Sequence, residues 1–579
     1  MGKNCDLFFP YPEQKEADRN QIKQVLNIFK NTLDALPFGN QEKTAKEIFD
    51  ILYKSNKIKL TGDDRLSLLK DIECKAPQVV AGLKEKIKDV TVPVGRREER
   101  VAKILVALHY ELALSYRCLL SQQPTIGLLG KANKSEEIDS IRHTIFHLGE
   151  ILRTKYSVFA NTSGTIWKYI YTLYICASNQ NVNDYALSSS SWCDYTTVDE
   201  VFKSILLMSL SSPQTMRGKE FSALYDLAPE LTQYINLGKI NCGESYPGLM
   251  TFNLSGTESP KKQFATGCDS CSNSSNCFTV DTSTLLKHID DQQEKIQSSN
   301  QLTPLQRILS NDSQYQRLKR NLAGHERVDH ENRIKGEGII ELVAGFSDIC
   351  TFLSKRSDDE AANDDENTDS SNWTTIGEEE SITVKEKVDW TATGIVRAGL
   401  RKTTCNVINH SSGGYCLYKD AGDKFYLRVG ELAIVKESEK NNWRLVEVIW
   451  VSGNRERMDF GVKVLDGTIS IGTVRSINQI DPDKTVDGLF LNMQNGAEQK
   501  QIRVITSSPD FSKGDRIVAN FQGAEHQGSV LDINSKTDGY VEYICDCSGR
   551  GSTETDAQDI KLGESVAAET DFESIWDKI

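Results

Sequence analysis

The hydrophobic period of the chain changes once, near its middle. Up to about residue 245, apolar residues recur at three- and four-residue steps. In "EERVAKILVALHYELALSYRCLL", Val101, Leu105, Leu108 and Leu112 fall on one face, the stripe of an amphipathic helix. "TVDEVFKSILLMSLSSPQTM" opens with Thr197 three residues ahead of Glu200, a capping box, and ends before Pro213. "SALYDLAPELTQYINL" continues in the same style, and no fixed-period repeat marks a solenoid. Residues 1–245 are therefore expected to form a helical domain.

Residues 246–355 are mixed. They hold short strand-like pieces, a Cys/Ser/Asn loop, a helix starting near Thr282, the polar helix "TPLQRILSNDSQYQRLKRNL" and the apolar run "GIIELVAGF". Between Ser357 and Val384 stand ten acidic residues and no Lys or Arg, so 356–386 reads as a disordered acidic linker. Beyond it the period becomes two. "NVINHSSGGYCLYKD", "FYLRVGELAIVKE", "WRLVEVIWVSG" and "MDFGVKVL" are strand-like runs within a first β domain, 387–478. "GLFLNM", "QIRVITS", "DRIVANFQG", "HQGSVLDIN" and "YVEYICDC" form a second set, 479–565, followed by a tail helix at 566–579. The expected fold class is multidomain α + β: an all-α N-terminal region, then antiparallel β-barrels, two in tandem, the second packed on the first. A purely structural extension is the plainer reading of the second set.

At 579 residues the chain is too long for one core. Its 68 basic and 82 acidic residues leave a net charge of −14, which repels nucleic-acid polymers and anionic membranes as a whole. The acidic linker carries much of that excess. An anionic ligand would need a local basic pocket. The longest apolar stretches, "SILLMSL" and "IWKYIYTLYICA", are short of a membrane span, and "MGKNCDLFFPYPEQ" carries no secretory pattern, so a cytoplasmic protein is expected. Most of the fourteen cysteines sit singly in helix or strand patterns (Cys118, Cys176, Cys350, Cys405, Cys416), as reduced core residues do.

The common catalytic signatures are missing. "GLLGKANKS" has too short a gap between its glycines for a P-loop, and there is no G-x-S-x-G elbow. His143 and His147 in "HTIFH" share a helix face without the Glu of a zinc-protease helix, and read as ordinary helix residues. In "CDSCSNSSNCF", Cys268 and Cys271 have the spacing that brings two thiolates to one zinc, with Cys277 as a third ligand. No second close pair completes the set, and the plainer reading is a surface loop.

One stretch carries more. In "NHSSGG", Asn409 and Ser411 lie two apart and share a face in extended backbone, where an amide and a hydroxyl can meet one planar polar ligand. Gly413 and Gly414 remove two side chains and permit positive φ or close approach. A bare hairpin turn also explains these residues.

Asn409, Ser411 and Gly414 match the [D/N]-x-S-x-x-G signature, and the stretch resembles PilZ domains, small β-barrels that bind cyclic di-GMP. Strands resembling the later PilZ strands follow in order: "RVGELAIV", "WRLVEVIWV" with Val448 and Trp450, and "MDFGVKVL" with Phe460, Gly461 and Val462. The helical stretches resemble the N-terminal region of large proteobacterial PilZ-domain proteins. The resemblance implies that Asn409 and Ser411 contact guanine and that arginines hold the phosphates. Its arginine motif, R-x-x-x-R, has its letters in Arg397 and Arg401, but only seven residues separate Arg401 from Asn409. A split barrel is the favoured alternative. Arg317, Arg320, Arg327 and Arg333 precede the β-like run "GIIELVAGF", in the family's order, and the helix "FSDICTFLSKR" with the acidic linker is then an insertion. For Arg317 and Arg320 a solvated helix face is the plain reading.

The function expected from this resemblance is a non-enzymatic cyclic di-GMP receptor whose helical domain relays ligand level to a protein partner. The competing expectation is an interaction scaffold whose barrel no longer binds nucleotide.

Overall fold

The structure is a computed structural model that describes residues 13–122, 134–239, 246–257, 277–298, 301–324, 333–336, 338–363, 401–420, 425–437, 442–453, 456–477, 485–492, 501–537 and 539–550. The expected acidic linker beyond Asn363, the tail helix and most of the cysteine loop lie outside these residues. Among the described residues, no helix is long and apolar enough to cross a membrane.

The N-terminal region is helical, and its spine is the pair of long helices Arg96–Gln122 and Lys134–Ser157. Val101, Leu105, Leu108 and Leu112 are all fully buried, as their spacing requires. The helix Val198–Leu210 begins at the capping box of Thr197 and Glu200. Three short strands follow, β1 (Asn236–Lys239), β2 (Leu249–Asn253) and β3 (Cys277–Asp281), in the order β1-β3-β2. The expected polar helix is two helices, Pro304–Leu309 and Asp312–Ala323. The second starts afresh because the Asn311 side chain caps the Gln314 amide.

Two rings of six antiparallel strands come next. The first contains β5 (Ile339–Ala344), β6 (Lys402–Ser411), β7 (Gly414–Asp420), β8 (Leu432–Glu437), β9 (Arg444–Gly453) and β10 (Arg457–Val464), in the order β6-β5-β8-β9-β10-β7, closed by β6 against β7. A two-residue strand, β4 (Ile334–Lys335), adds to β6. The stave β5 therefore precedes the helix Phe346–Asn363 and the acidic segment, while its partner β6 follows them. That helix covers the first residues assigned to the linker, 356–363, which are helical.

The second ring is a closed barrel of β11 (Thr468–Ser476), β12 (Val486–Asn492), β13 (Gln501–Thr506), β14 (Arg516–Phe521), β15 (Ala524–Lys536) and β16 (Val541–Arg550). Because β11 pairs with β12 and β14, the crossover between rings falls before Thr468, ahead of the boundary at 478 read from the sequence.

The units share cores. Leu105 and Leu112 of the helical region lie in one buried cluster with Leu417, Phe460 and Val462 of the first barrel's interior. A second cluster joins the barrels, Leu432, Ile434 and Leu445 of the first meeting Leu489, Leu491 and Ile505 of the second, with Ile349 and Cys350 of the Phe346–Asn363 helix wedged alongside. Burial on this scale makes the three units one body rather than beads on a string.

The cysteine expectations need two corrections. Cys118, Cys193, Cys350, Cys405, Cys416 and Cys545 are not disulfide-bonded, but Cys176 and Cys277 are. A disulfide sulfur is not a thiolate, so Cys277 is no zinc ligand in this state. Cys268 and Cys271 lie outside the described residues. His143 and His147 are buried, and neither sits in a metal-holding cluster of described residues.

Candidate functional site

"NHSSGG" is a tight hairpin. Ser411 pairs with Gly414, leaving Ser412 and Gly413 as the turn between β6 and β7. The turn is fastened from both sides. Val464 N donates to the Gly413 carbonyl at 2.9 Å, and Arg444 Nη2 donates to the Ser412 carbonyl at 3.4 Å. Arg444 Nη1 also meets Tyr415 Oη at 3.1 Å, and Tyr415 Oη donates to Glu437 Oε1 at 2.7 Å. Gly414 is required by space rather than by φ: a Cβ there would stand 2.3 Å from the Val462 carbonyl oxygen.

Which way Asn409 and Ser411 point is decided by a β-bulge. Thr403 and Cys405 face the barrel interior, and strict alternation would carry Asn409 and Ser411 inward with them. The pairing with β7 shifts between Val407 and Asn409, so Ile408 is the extra residue. After it, His410 pairs with the buried Tyr415, and Asn409 pairs with Cys416 on the outer face.

Directly opposed residues of antiparallel strands share a face, so the registers define two rows across the outside of the barrel. One runs Lys335, Asn409, Cys416, Gly461, Trp450, through β4, β6, β7, β10 and β9. The other runs Ser411, Gly414, Lys463, Glu447, Leu432, through β6, β7, β10, β9 and β8. Strand spacing puts Asn409 about 14 Å from Trp450, and the rows lie about 7 Å apart. Between them Gly414 and Gly461 contribute no side chain. The surface is a shallow trough, with the polar Asn409 and Ser411 on one bank and Trp450 and Lys463 on the other.

The Trp450 indole lies over Gly461, where a Cβ would sit 2.0 Å from its Nε1. Lys463 is half-buried, and burial pushes its amine below the ordinary lysine range. Glu447 opposes that shift, while the charges of Arg503 and Arg320 add to it.

Arg320, on the helix Asp312–Ala323, thus lies near the Lys463 end of the trough. Its helix neighbour Arg317 is no solvated side chain: only 13% exposed, it reaches Glu220 and Glu447, both at 3.8 Å. Arg333 directly precedes β4, whose Lys335 is opposite Asn409. Arg401 lies elsewhere. It is buried, with Nε 3.0 Å from Asp348 Oδ2, Nη2 2.6 Å from Glu431 Oε1 and Nη1 donating to the Tyr426 carbonyl at 3.3 Å. That network ties β6 to the Phe346–Asn363 helix, and the structure does not bring Arg401 to Asn409 or Ser411. Arg397 and Arg327 lie outside the described residues. Lys463 and Lys335 were missed in the sequence because they belong to no linear motif and are placed by register alone.

Comparison with known proteins follows the same outline. Residues 27–240 match the family "Cyclic-di-GMP receptor FimW, N-terminal domain". Residues 355–468 match "Cyclic-di-GMP receptor FimW, middle PilZ domain". The second match begins after β5, although the ring closes only through that strand. The chain is 19% identical over 582 residues to the cyclic-di-GMP receptor FimW of Pseudomonas aeruginosa, across 93% of this chain and 94% of that protein. No solved structure matches the chain.

Proposed function

For this chain, whose residues 27–240 and 355–468 match the N-terminal and middle PilZ domains of the cyclic-di-GMP receptor FimW family, we propose the role of a cyclic di-GMP receptor. The observation that carries this reading is the outer trough. The bulge turns Asn409 and Ser411 out of the barrel, where an amide and a hydroxyl can hydrogen-bond a guanine edge. The exposed face of Trp450 offers an apolar surface for a base to stack on. Lys335 and Lys463 lie on these rows, Arg333 next to the first of them and Arg320 near the second, and such cations suit a ligand with two phosphates better than the chain's overall charge does.

In this reading the protein acts by binding and not by catalysis. It works in the cytoplasm, and its helical domain passes the bound state to a protein partner. The shared core of helices and first barrel supports such a relay, because a change at the barrel is felt by packed neighbours. The scaffold alternative draws on one observation: Arg401 is committed to Asp348 and Glu431.

Calorimetric titration of the full chain with cyclic di-GMP decides between them. Asn409→Ala and Ser411→Ala are each expected to weaken binding about tenfold, the worth of about one good hydrogen bond. No heat of binding with the unaltered protein at tens of micromolar would leave the scaffold.

A further inference from the structure

We propose that the second barrel is part of the ligand site: Lys463 is its phosphate-binding cation, and Arg503 of the second barrel and Arg317 of the helical region hold the polar shell behind it. The proposal rests on the receptor reading above and goes beyond it, since the family matches end at Thr468, the first residue of the second barrel.

The argument starts from the row that contains Ser411. Following it across the sheet, Gly414 comes next, then Lys463, then Glu447, and then Leu432, which is already in the core between the two barrels. The signature hairpin and the barrel-to-barrel contact are thus ends of one line of side chains. With Gly414 bare, nothing on that row stands between the Ser411 hydroxyl and the Lys463 amine.

The shell behind Lys463 comes from separate parts of the chain. Glu447 is buried, and its Oε1 accepts no hydrogen bond among the described residues, with Arg317 Nη1 3.8 Å away. Arg503, on β13, pairs with Glu542 of β16 and donates from Nη1 to the Asp466 carbonyl at 3.4 Å. Asp466 lies in the short link between the barrels, two residues after Val464, whose amide holds the Gly413 turn. Arg217 adds a second tie: its Nε donates to the Val429 carbonyl at 2.9 Å, and its Nη2 is 3.0 Å from where a Cβ of Gly539 in the second barrel would stand.

Several charged groups from the three units meet at this junction: Lys463, Arg317, Arg320 and Arg503 with Glu220, Glu447 and Glu542. A phosphate of a ligand seated on Asn409 and Ser411 draws the half-buried Lys463 amine away from Glu447 and towards the hairpin. Glu447 then leans on Arg317 alone, so occupancy is felt at the contact of all three units.

The test is titration of full-length variants with cyclic di-GMP, with thermal unfolding of each preparation as the control for folding. Lys463→Met is expected to weaken binding by about tenfold or more and to flatten its salt dependence, and Lys463→Arg to stay within about threefold. Arg503→Gln, which touches no residue of the hairpin, is expected to weaken binding about threefold or more. Unchanged affinity in both Lys463→Met and Arg503→Gln, while Asn409→Ala still weakens binding about tenfold, overturns this inference and leaves the receptor reading standing. An unaltered protein that binds no cyclic di-GMP overturns both.

Discussion

Trp450 and Gly461 stand opposite each other on β9 and β10, and the indole occupies the place where a side chain at 461 would go. Gly461→Val must therefore move the ring or the strand. We expect a loss of about 1–3 kcal/mol, typical of overpacking, read by denaturant unfolding. The Trp450 emission should shift as the ring is pushed into solvent. A variant with unaltered stability and emission would show that the indole does not rest on that glycine.

Arg401 is expected to matter for folding and not for ligand. Removing it leaves Asp348 and Glu431 mostly buried without their cation. Arg401→Met should cost about 3 kcal/mol, seen as a lowered denaturant midpoint. Cyclic di-GMP affinity of the protein that remains folded should hold; a selective loss of affinity at full stability would return Arg401 to the site.

Acid should unfold the helical region first. His109 Nδ1 and His147 Nδ1 lie 3.1 Å apart in its core, beside Trp192, Tyr116 and the Glu150 carboxylate, which also pairs with Lys84 and Arg153. Burial holds His109 down to about 3 and His147 well below the ordinary range. An unfolded histidine titrates near 6.5, so the unfolded chain binds more protons below that pH. The stabilisation of the neutral pair is complete above about 6.5 and drains away as pH falls towards 3. Glu150, held at about 2 chiefly by Lys84 and Arg153 against its burial, adds a loss of the same sign as pH falls from the ordinary carboxylate range towards 2. Unfolding midpoints from pH 8 to 4 check this. A His109→Asn, His147→Asn double variant should show a shallower fall than the unaltered protein.

Cysteine chemistry gives a separate check. Cys74 is exposed and free, whereas Cys277 is disulfide-bonded. Alkylation without reductant, followed by peptide mass spectrometry, should mark Cys74 and spare Cys277 until the protein is reduced. Prompt labelling of Cys277 would reopen its role as a metal ligand.

Much of the fold was legible because it is local. The stripe Val101, Leu105, Leu108, Leu112 and the Thr197–Glu200 box need only their own helix to make sense. Period-two runs announced the strands for the same reason. The break of the polar helix at Asn311 was also written locally, as a capping residue, and was overlooked. The site was less legible. Asn409 and Ser411 stood out through a motif, but Lys463 and Glu447 lie about fifty and forty residues away and join them only when β7, β9 and β10 are in register.

The sequence by itself determined the helical half, the two groups of strands, the acidic segment between them and the hairpin of Ser411 and Gly414. These follow from period, capping and turn chemistry, which act over a few residues. Only the tertiary structure decided the direction of Asn409 and Ser411. A single extra residue, Ile408, turns them from the core to the surface, and a bulge exists only relative to a partner strand. It likewise decided that Arg401 is consumed by Asp348 and Glu431, and that a lysine and a second barrel stand behind the motif instead. Charges choose partners by distance in space, and that distance is set by how the barrels pack.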